Sequence, residues 1–243
     1  MKWLIRHKAQ IPWRVLSARG GERMHLFLVE VRSVTRNRLF TLSFFGSFAL
    51  VLFLLGFAVL HGDRGEPGLR FMWVALLAGV PAGNYAGYCI GKDALYLEGL
   101  VTRLTLRNYV EWKVSFSRTY TALYAAGVFP LALFGSSDEV VAFFALTVYY
   151  LGFGGLFLLF AVSFGTTRID LHASPFFTMQ QTSMLGAPAM IPVTAPLFFL
   201  NISPYWALAA TWVIGALGLV FSRPIQFLIE KNIARRKYRL LGL

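Results

Sequence analysis

The uncharged run at residues 39–61 constrains the fold of this chain more than any other feature. It holds no Asp, Glu, Lys or Arg over its whole length. A helix rises about 1.5 Å per residue, so a run of this length crosses a hydrocarbon core of about 30 Å. Because backbone polar groups inside a bilayer must bond within their own segment, the run predicts a transmembrane α-helix.

Further apolar segments follow, separated by polar turns and loops. They predict spans at about 69–91, 114–134, 139–164 and 185–200, and a sixth that ends near Phe221. The composition agrees, because the chain is 57% hydrophobic and 14% charged, whereas a soluble domain is nearer half apolar and a quarter charged. We therefore predict an all-α integral membrane bundle of about six transmembrane helices.

Local signals sharpen three of these spans. Residues 136–139 read Ser-Ser-Asp-Glu, which is typical of a capping box and predicts the start of the fourth helix. Pro204 follows a turn and suits the first position of the sixth. Prolines spaced by four residues predict a bent fifth span: Pro188, Pro192 and Pro196.

The basic residues are segregated along the chain. Six spans would place both termini on one side, together with 21 of the 23 Lys and Arg residues, and leave only Arg64 and Arg70 on the other. Cytoplasmic loops of membrane proteins carry such an excess. We therefore predict that both termini are cytoplasmic. The net charge of +12 is then mostly explained by the membrane orientation of the chain, and nucleic acid is not an expected partner.

This topology divides the chain into three parts. Residues 1–38 form a cytoplasmic segment with an amphipathic helix at about 22–38. Residues 39–221 form the six-span domain, with cytoplasmic loops at 92–113 and 165–184. Residues 222–243 form a basic tail, where apolar residues on one face adjoin Lys and Arg, a pattern that predicts attraction to anionic membrane lipids. That apolar face comprises Ile225, Leu228, Ile229 and Ile233.

The second span carries glycines spaced by four residues: Gly79, Gly83, Gly87 and Gly91. This spacing puts them on one helix face, where the missing side chains let another membrane helix approach closely. We predict a helix-packing face. It would serve packing within the chain or, alternatively, a contact between subunits.

The loop at 92–113 is longer than a connection between two spans requires. Its leucines alternate with charged residues, which indicates a short amphipathic helix at the membrane surface, a turn and a second short helix; a solvated loop is the alternative. No HExxH motif, Walker motif or nucleophile elbow occurs, and Cys89 is the only cysteine. We expect neither catalysis by this chain nor a metal or cofactor.

Two motifs lie in the predicted cytoplasmic loops. The first is Asp93-x-x-Tyr96-x-Glu98-Gly99-Leu100-x-Thr102-Arg103, continuing to Asn108, Tyr109 and Lys113. The second is Arg168-Ile169-Asp170-Leu171, with Phe176, Phe177 and Gln180 after it. Together they resemble a bacterial domain-of-unknown-function family of ABC exporter permeases, of the type-2 exporter class. The resemblance covers about residues 25–243 and matches the C-terminal half of the longer members.

The resemblance implies a function for the first loop. In such permeases it is the coupling element that docks into a separate ATPase subunit, so the expected contact residues are Asp93, Tyr96, Glu98, Arg103, Arg107 and Tyr109. It also implies a multi-pass protein of the bacterial inner membrane that pairs with a second permease chain. The alternative is a non-transporting structural subunit of a larger membrane assembly, such as a respiratory complex. A membrane-embedded lipid-modifying enzyme is a weaker third hypothesis.

Overall fold

The computed structural model describes residues 19–36, 38–61, 67–90, 93, 105–164 and 204–240. These residues form seven continuous helices, one of which is divided below into α5 and α6. They form no strand, so the described part of the chain is all-α. The helices are α1 (Arg19–Arg36), α2 (Arg38–His61), α3 (Pro67–Cys89), α4 (Leu106–Ala132), α5 (Ser137–Tyr149), α6 (Gly155–Ser163), α7 (Pro204–Val220) and α8 (Ser222–Leu240). A π-helical turn, Tyr150–Gly154, joins α5 to α6 without a break.

Only part of the predicted membrane topology has a counterpart in these helices. Within the described residues, one helix is long and apolar enough to cross a membrane, the continuous Ser137–Ser163. Tyr205–Val220 and Ser222–Arg235 meet the same test only as a pair, and the pair is bent by 66°. The fifth predicted span, 185–200, lies outside the described residues. The count of six spans therefore stays a prediction.

Capping residues account for where the helices begin. The Glu139 carboxylate accepts a hydrogen bond from the Ser136 backbone N–H at 2.7 Å, as expected at the start of α5. Pro204 is the first residue of α7, also as predicted. The Thr105 hydroxyl accepts from the Asn108 N–H at 3.3 Å and starts α4. Residues 106–113, the last part of the predicted 92–113 loop, are therefore the first turns of α4.

Helix α3 lies at the centre of the described bundle and packs against α2, α4, α5 and α6. Its central residues are almost entirely buried, from Trp73 to Ala86. Of the predicted glycine face, only Gly79 closely meets another helix, at the Tyr150 ring. A Cβ added at Gly83 or Gly87 would meet no described residue within 4 Å. Gly91 lies outside the described residues.

The closest helix approach lies instead between the π-helical turn and α7. The Gly152 backbone lies directly against the Gly215 carbonyl, which leaves no room for a side chain at that position. From α4, Arg118 donates to the Leu151 carbonyl at 3.0 Å and to the Gly218 carbonyl at 3.4 Å. A π-helical turn disturbs the normal ladder of backbone bonds. Arg118 thus satisfies a carbonyl inside that turn and ties three helices together.

Helix α8 turns away from α7 and folds back on the bundle against α4 and α6. Ile229 and Ile233 are buried, and Ile225 is half-buried against the core. Leu228, which the sequence placed on the same face, is 45% exposed on the other side. The predicted apolar face therefore packs inward against the bundle, and the prediction that Leu228 belongs to it is wrong.

Candidate functional site

Lys113 stands at the centre of a buried ionic cluster at the start of α4. Its side chain is 3% exposed. The ammonium donates to both carboxylate oxygens of Glu30, at 2.9 and 3.0 Å, and also forms an ion pair with Asp93. A buried charge is costly unless it is paired and hydrogen-bonded, and here one ammonium serves two carboxylates.

Glu30 reaches Lys113 because it lies on the inward face of α1. Phe27, Val31 and Val34 share that face and pack on the core, and Glu30 itself is 1% exposed. The Phe27 ring contacts the Phe116 ring of α4, with centroids 5.1 Å apart. The apolar contacts therefore hold α1 against α4, and the ion pair lies within that contact.

Two buried tyrosines complete the cluster. Tyr85 of α3 donates its hydroxyl to Glu30 at 3.0 Å, and Tyr109 of α4 donates to Asp93 at 3.0 Å. Each carboxylate thus receives a hydroxyl donor as well as the ammonium. Such extra donors are what make a buried ion pair tolerable in the interior. The cluster joins α1, α3, α4 and residue 93.

The surroundings keep the lysine charged and the tyrosine neutral. Burial alone would lower the pKa of Lys113, but the carboxylates of Asp93 and Glu30 outweigh it and raise the pKa above its ordinary value. Burial, and next the Asp93 charge, raise the pKa of Tyr109 well above its usual range. The Trp112 ring lies 4.4 Å from the ammonium and adds a cation–π contact.

Helix α8 and α6 close one side of the cluster. Ile229, Ile233 and Leu159 line, with Lys113 and Tyr109, a cavity of about 10 Å³. That volume is close to the space one water molecule needs, and the lining of the cavity is apolar. The ammonium is therefore shielded from bulk water by the packing of α8.

The cluster ties several helices together. It contains carboxylates, an ammonium and phenols, and the buried thiol of Cys89 lies near them. Among the described residues, no group of three His, Cys, Asp or Glu side chains could hold a metal ion. What the arrangement can do is keep three helices and the start of the 92–113 loop in one register.

The predicted contact residues fall into three groups. Asp93 and Tyr109 lie inside the cluster, and Tyr109 is fully buried. Arg107 is exposed on α4, where it pairs with Glu111 at 3.0 Å. Tyr96, Glu98 and Arg103 lie outside the described residues, and so do Arg168 and Asp170 of the second loop motif. The first loop motif thus supplies Asp93, Tyr109 and Lys113 to one buried site.

The sequence did not single out Glu30 or Tyr85 as site residues. A signal for Glu30 was present, because it shares a helix face with Phe27, Val31 and Val34. A carboxylate on the apolar face of a helix needs a buried partner. Tyr85 gave no comparable signal, since a tyrosine within an apolar helix has an ordinary place in a core.

A surface groove of about 400 Å³ lies beside the cluster, between α4 and α8. Arg107 and Glu111 line one wall, and Arg223 and Glu230 line the other. Val110 and Phe227 add apolar surface between the charges. The groove therefore combines both signs of charge with an apolar strip, next to the end of the 92–113 loop.

Comparison with known proteins gives a family but no activity. Residues 16–242 match the sequence model of a family of unknown function, DUF5687. The chain belongs to that family, and the match spans the whole described fold. No curated protein and no solved structure matches the chain. The resemblance to a domain-of-unknown-function family is confirmed, and nothing in the match links that family to ABC exporter permeases.

Proposed function

We propose that this protein is the membrane permease subunit of an ABC transporter of the exporter type. A separate ATPase subunit would dock on residues 92–109 and drive it. The observation that carries the proposal is the meeting of Asp93, Tyr109 and Lys113, all residues of the loop motif, in one buried cluster. A coupling element needs both ends anchored to the parts that it moves.

The cluster gives a mechanical route from the loop to the helices. Asp93 stands near the start of the docking segment and Tyr109 at its end, and a hydrogen bond joins them. Lys113 links Asp93 to Glu30 of α1, and Glu30 links onward to Tyr85 of α3. A displacement of the segment would thus be passed to three helices through packed, hydrogen-bonded contacts.

The docking residues divide into anchors and contacts in this proposal. The buried Asp93 and Tyr109 position the segment. Tyr96, Glu98, Arg103 and the exposed Arg107 would meet the ATPase. Charge complementarity at such a surface provides specificity and faster association more than affinity.

The membrane arrangement belongs to the same proposal. We infer about six spans, both termini in the cytoplasm, a location in the bacterial inner membrane and a second permease chain as partner. Gly83 and Gly87, which no described residue approaches closely, suit a contact with that second chain. The partner ATPase would bind and hydrolyse the nucleotide, and this chain would need no cofactor of its own.

Co-purification tests the proposal directly. The tagged full chain should leave the membrane in mild detergent together with a protein that carries a Walker motif. Recovery of respiratory subunits without any ATPase would instead favour the alternative, a structural subunit of a larger assembly.

A charge reversal then tests the docking segment. Arg103→Glu should uncouple ATP hydrolysis from transport while the complex stays inserted. The matched control is Arg32→Glu, which makes the same change at an exposed arginine of α1, outside residues 92–109 in the sequence. Full coupled activity of the Arg103 variant, or equal effects of both variants, would remove the assigned role of residues 92–109.

A further inference from the structure

Helix α7 exposes apolar side chains along its whole length. Tyr205 and Trp206, at its start, are each 79% exposed, and Val220 and Phe221, at its end, are 73% and 60% exposed. Such a surface is unfavourable in water and suits lipid. Exposed Tyr and Trp at one end are typical of the membrane–water interface. The other end of α7 should therefore lie near the opposite interface.

At that other end the chain bends by 66° and continues as α8. The bend directs α8 nearer to the membrane plane than to the direction of α7. Buried Ile229 and Ile233 bind one face of α8 to the bundle. Every residue on the opposite face is exposed. At 100° per residue its members cover an arc of roughly 140°; they are Arg223, Pro224, Phe227, Leu228, Lys231, Ala234 and Arg235.

The exposed face carries one sign of charge. It holds three cations and no carboxylate. In the described part of the chain, none of the three forms an ion pair. Glu230, the nearest acidic residue along α8, is half-buried at the groove beside α4. Between the cations, Phe227 and Leu228 are 63% and 45% exposed.

We propose that this face of α8 binds the anionic headgroups of the membrane leaflet at which α7 ends. Arg223, Lys231 and Arg235 would contact lipid phosphates, while Phe227 and Leu228 enter the acyl boundary. This combination of a basic rim with an apolar strip is how interfacial helices bind anionic membranes. The proposal rests on the membrane location inferred above and not on the ATPase.

Continuity with α7 decides between lipid and an acidic protein surface. Exposed apolar side chains occur on both sides of the bend, Val220 and Phe221 before it and Phe227 and Leu228 after it. An acidic partner could neutralise the cations but would leave this strip without an apolar neighbour. A lipid leaflet provides both environments at the required depths. It would also hold α8 against α4, over the Lys113 cluster.

Spin-label depth measurements on the full chain test this assignment. A nitroxide at Phe227→Cys, with the buried Cys89 left in place, is compared in phosphatidylcholine vesicles with and without phosphatidylglycerol. We expect greater access to oxygen than to a water-soluble nickel chelate, with a further shift toward oxygen when the anionic lipid is present. A label at Glu111→Cys, on the exposed side of α4, should favour the chelate in both lipids.

Neutralising the three cations is the second part of the test. In the triple variant Arg223→Gln, Lys231→Gln, Arg235→Gln, the shift in label depth that phosphatidylglycerol causes should be lost, because no cation remains on this face to attract anionic headgroups. The matched control is Arg32→Gln with Arg36→Gln, on the exposed side of α1, and it should leave the depth at 227 unchanged.

Three results would overturn the proposal. The label at 227 could favour the aqueous chelate in both lipids, which would place the face in water. Its depth could be the same with and without phosphatidylglycerol, which would remove the headgroup recognition. It could be shielded from both reagents, which would indicate a protein partner. None of these results depends on whether an ATPase co-purifies, so the two proposals fail separately.

Discussion

Helix α4 carries two ion pairs, about one and a half turns apart, whose geometry is alike and whose environment is not. Arg107 and Glu111 meet at 3.0 Å with side chains 68% and 46% exposed. Lys113 and Glu30 meet at 2.9 Å with side chains 3% and 2% exposed. Distance alone would rank the two pairs as equals. Burial separates them, because water screens the first pair and is absent from the second.

The difference also separates their roles. The exposed pair links two residues of one helix, and either partner can exchange it for water. The buried pair links residues 83 positions apart and is joined by Asp93, Tyr85 and Tyr109. Removing one member of such a cluster leaves the others charged and without water. The following variants are ordered by how strongly they should expose this contrast.

The largest effect is expected for Lys113→Met, which keeps the apolar stem and removes the charge. Glu30 and Asp93 would remain buried without their shared ammonium, so the loss should be about 3–5 kcal/mol of folding free energy. The measurement is unfolding of the purified protein in mixed detergent. A loss below about 1 kcal/mol, as for a surface pair, would mean that water reaches the cluster.

A smaller loss is expected for Glu30→Gln. The amide keeps the shape and one acceptor but loses the charge, and hydrogen bonds to charged groups contribute roughly 1.5–3 kcal/mol. Combined with Lys113→Met in a double-mutant cycle, the two losses should be clearly less than additive, because both remove the same contact. Additive losses would show that Glu30 and Lys113 act independently.

Tyr85→Phe should cost about 1.5 kcal/mol, since it removes the hydroxyl that donates to the Glu30 carboxylate. Tyr124→Phe is the matched control on α4. Its buried hydroxyl has no hydrogen-bond partner in the described structure. That variant should be neutral or slightly stabilising in the same unfolding assay. Equal losses in both variants would argue against a specific role for the Tyr85 hydrogen bond.

The smallest effect is expected for Arg107→Ala. An exposed pair with this spacing on a helix contributes about 0.3–0.5 kcal/mol, and salt reduces it further. Unfolding should therefore be nearly unchanged at high ionic strength. A loss of about 2 kcal/mol or more of folding free energy would contradict the contrast between the two pairs, because a loss of that size is typical of breaking a buried ion pair.

Local chemistry accounts for what the sequence predicted well. The capping pattern at 136–139 and the proline at 204 gave the starts of α5 and α7, because a cap depends on residues three or four positions apart. The helix before residue 38 also appears, as α1. The helix of the third predicted span begins at residue 106 rather than about 114, because an unpredicted cap at Thr105 starts it earlier.

Long-range packing decided the rest. No local sequence pattern predicts the π-helical turn, which lies where the Gly152 and Gly215 backbones approach each other. The glycine face of α3 illustrates the same limit. Spacing put its members on one side of a helix, but only the neighbouring helices determine that Gly79 meets the Tyr150 ring, whereas no described residue closely approaches Gly83. The same holds for Leu228 on α8.

The sequence by itself determined that the described part of this chain is helical and where several of its helices begin. These properties follow from apolar run length, caps and short spacings, all of which act within a few turns of one helix. Only the tertiary structure decided that Asp93, Tyr109 and Lys113 share a buried cluster with Glu30 and Tyr85. The physical reason is that the energy of an ion pair depends on how far water is excluded from it. Helices that are far apart in the sequence exclude that water when they pack together.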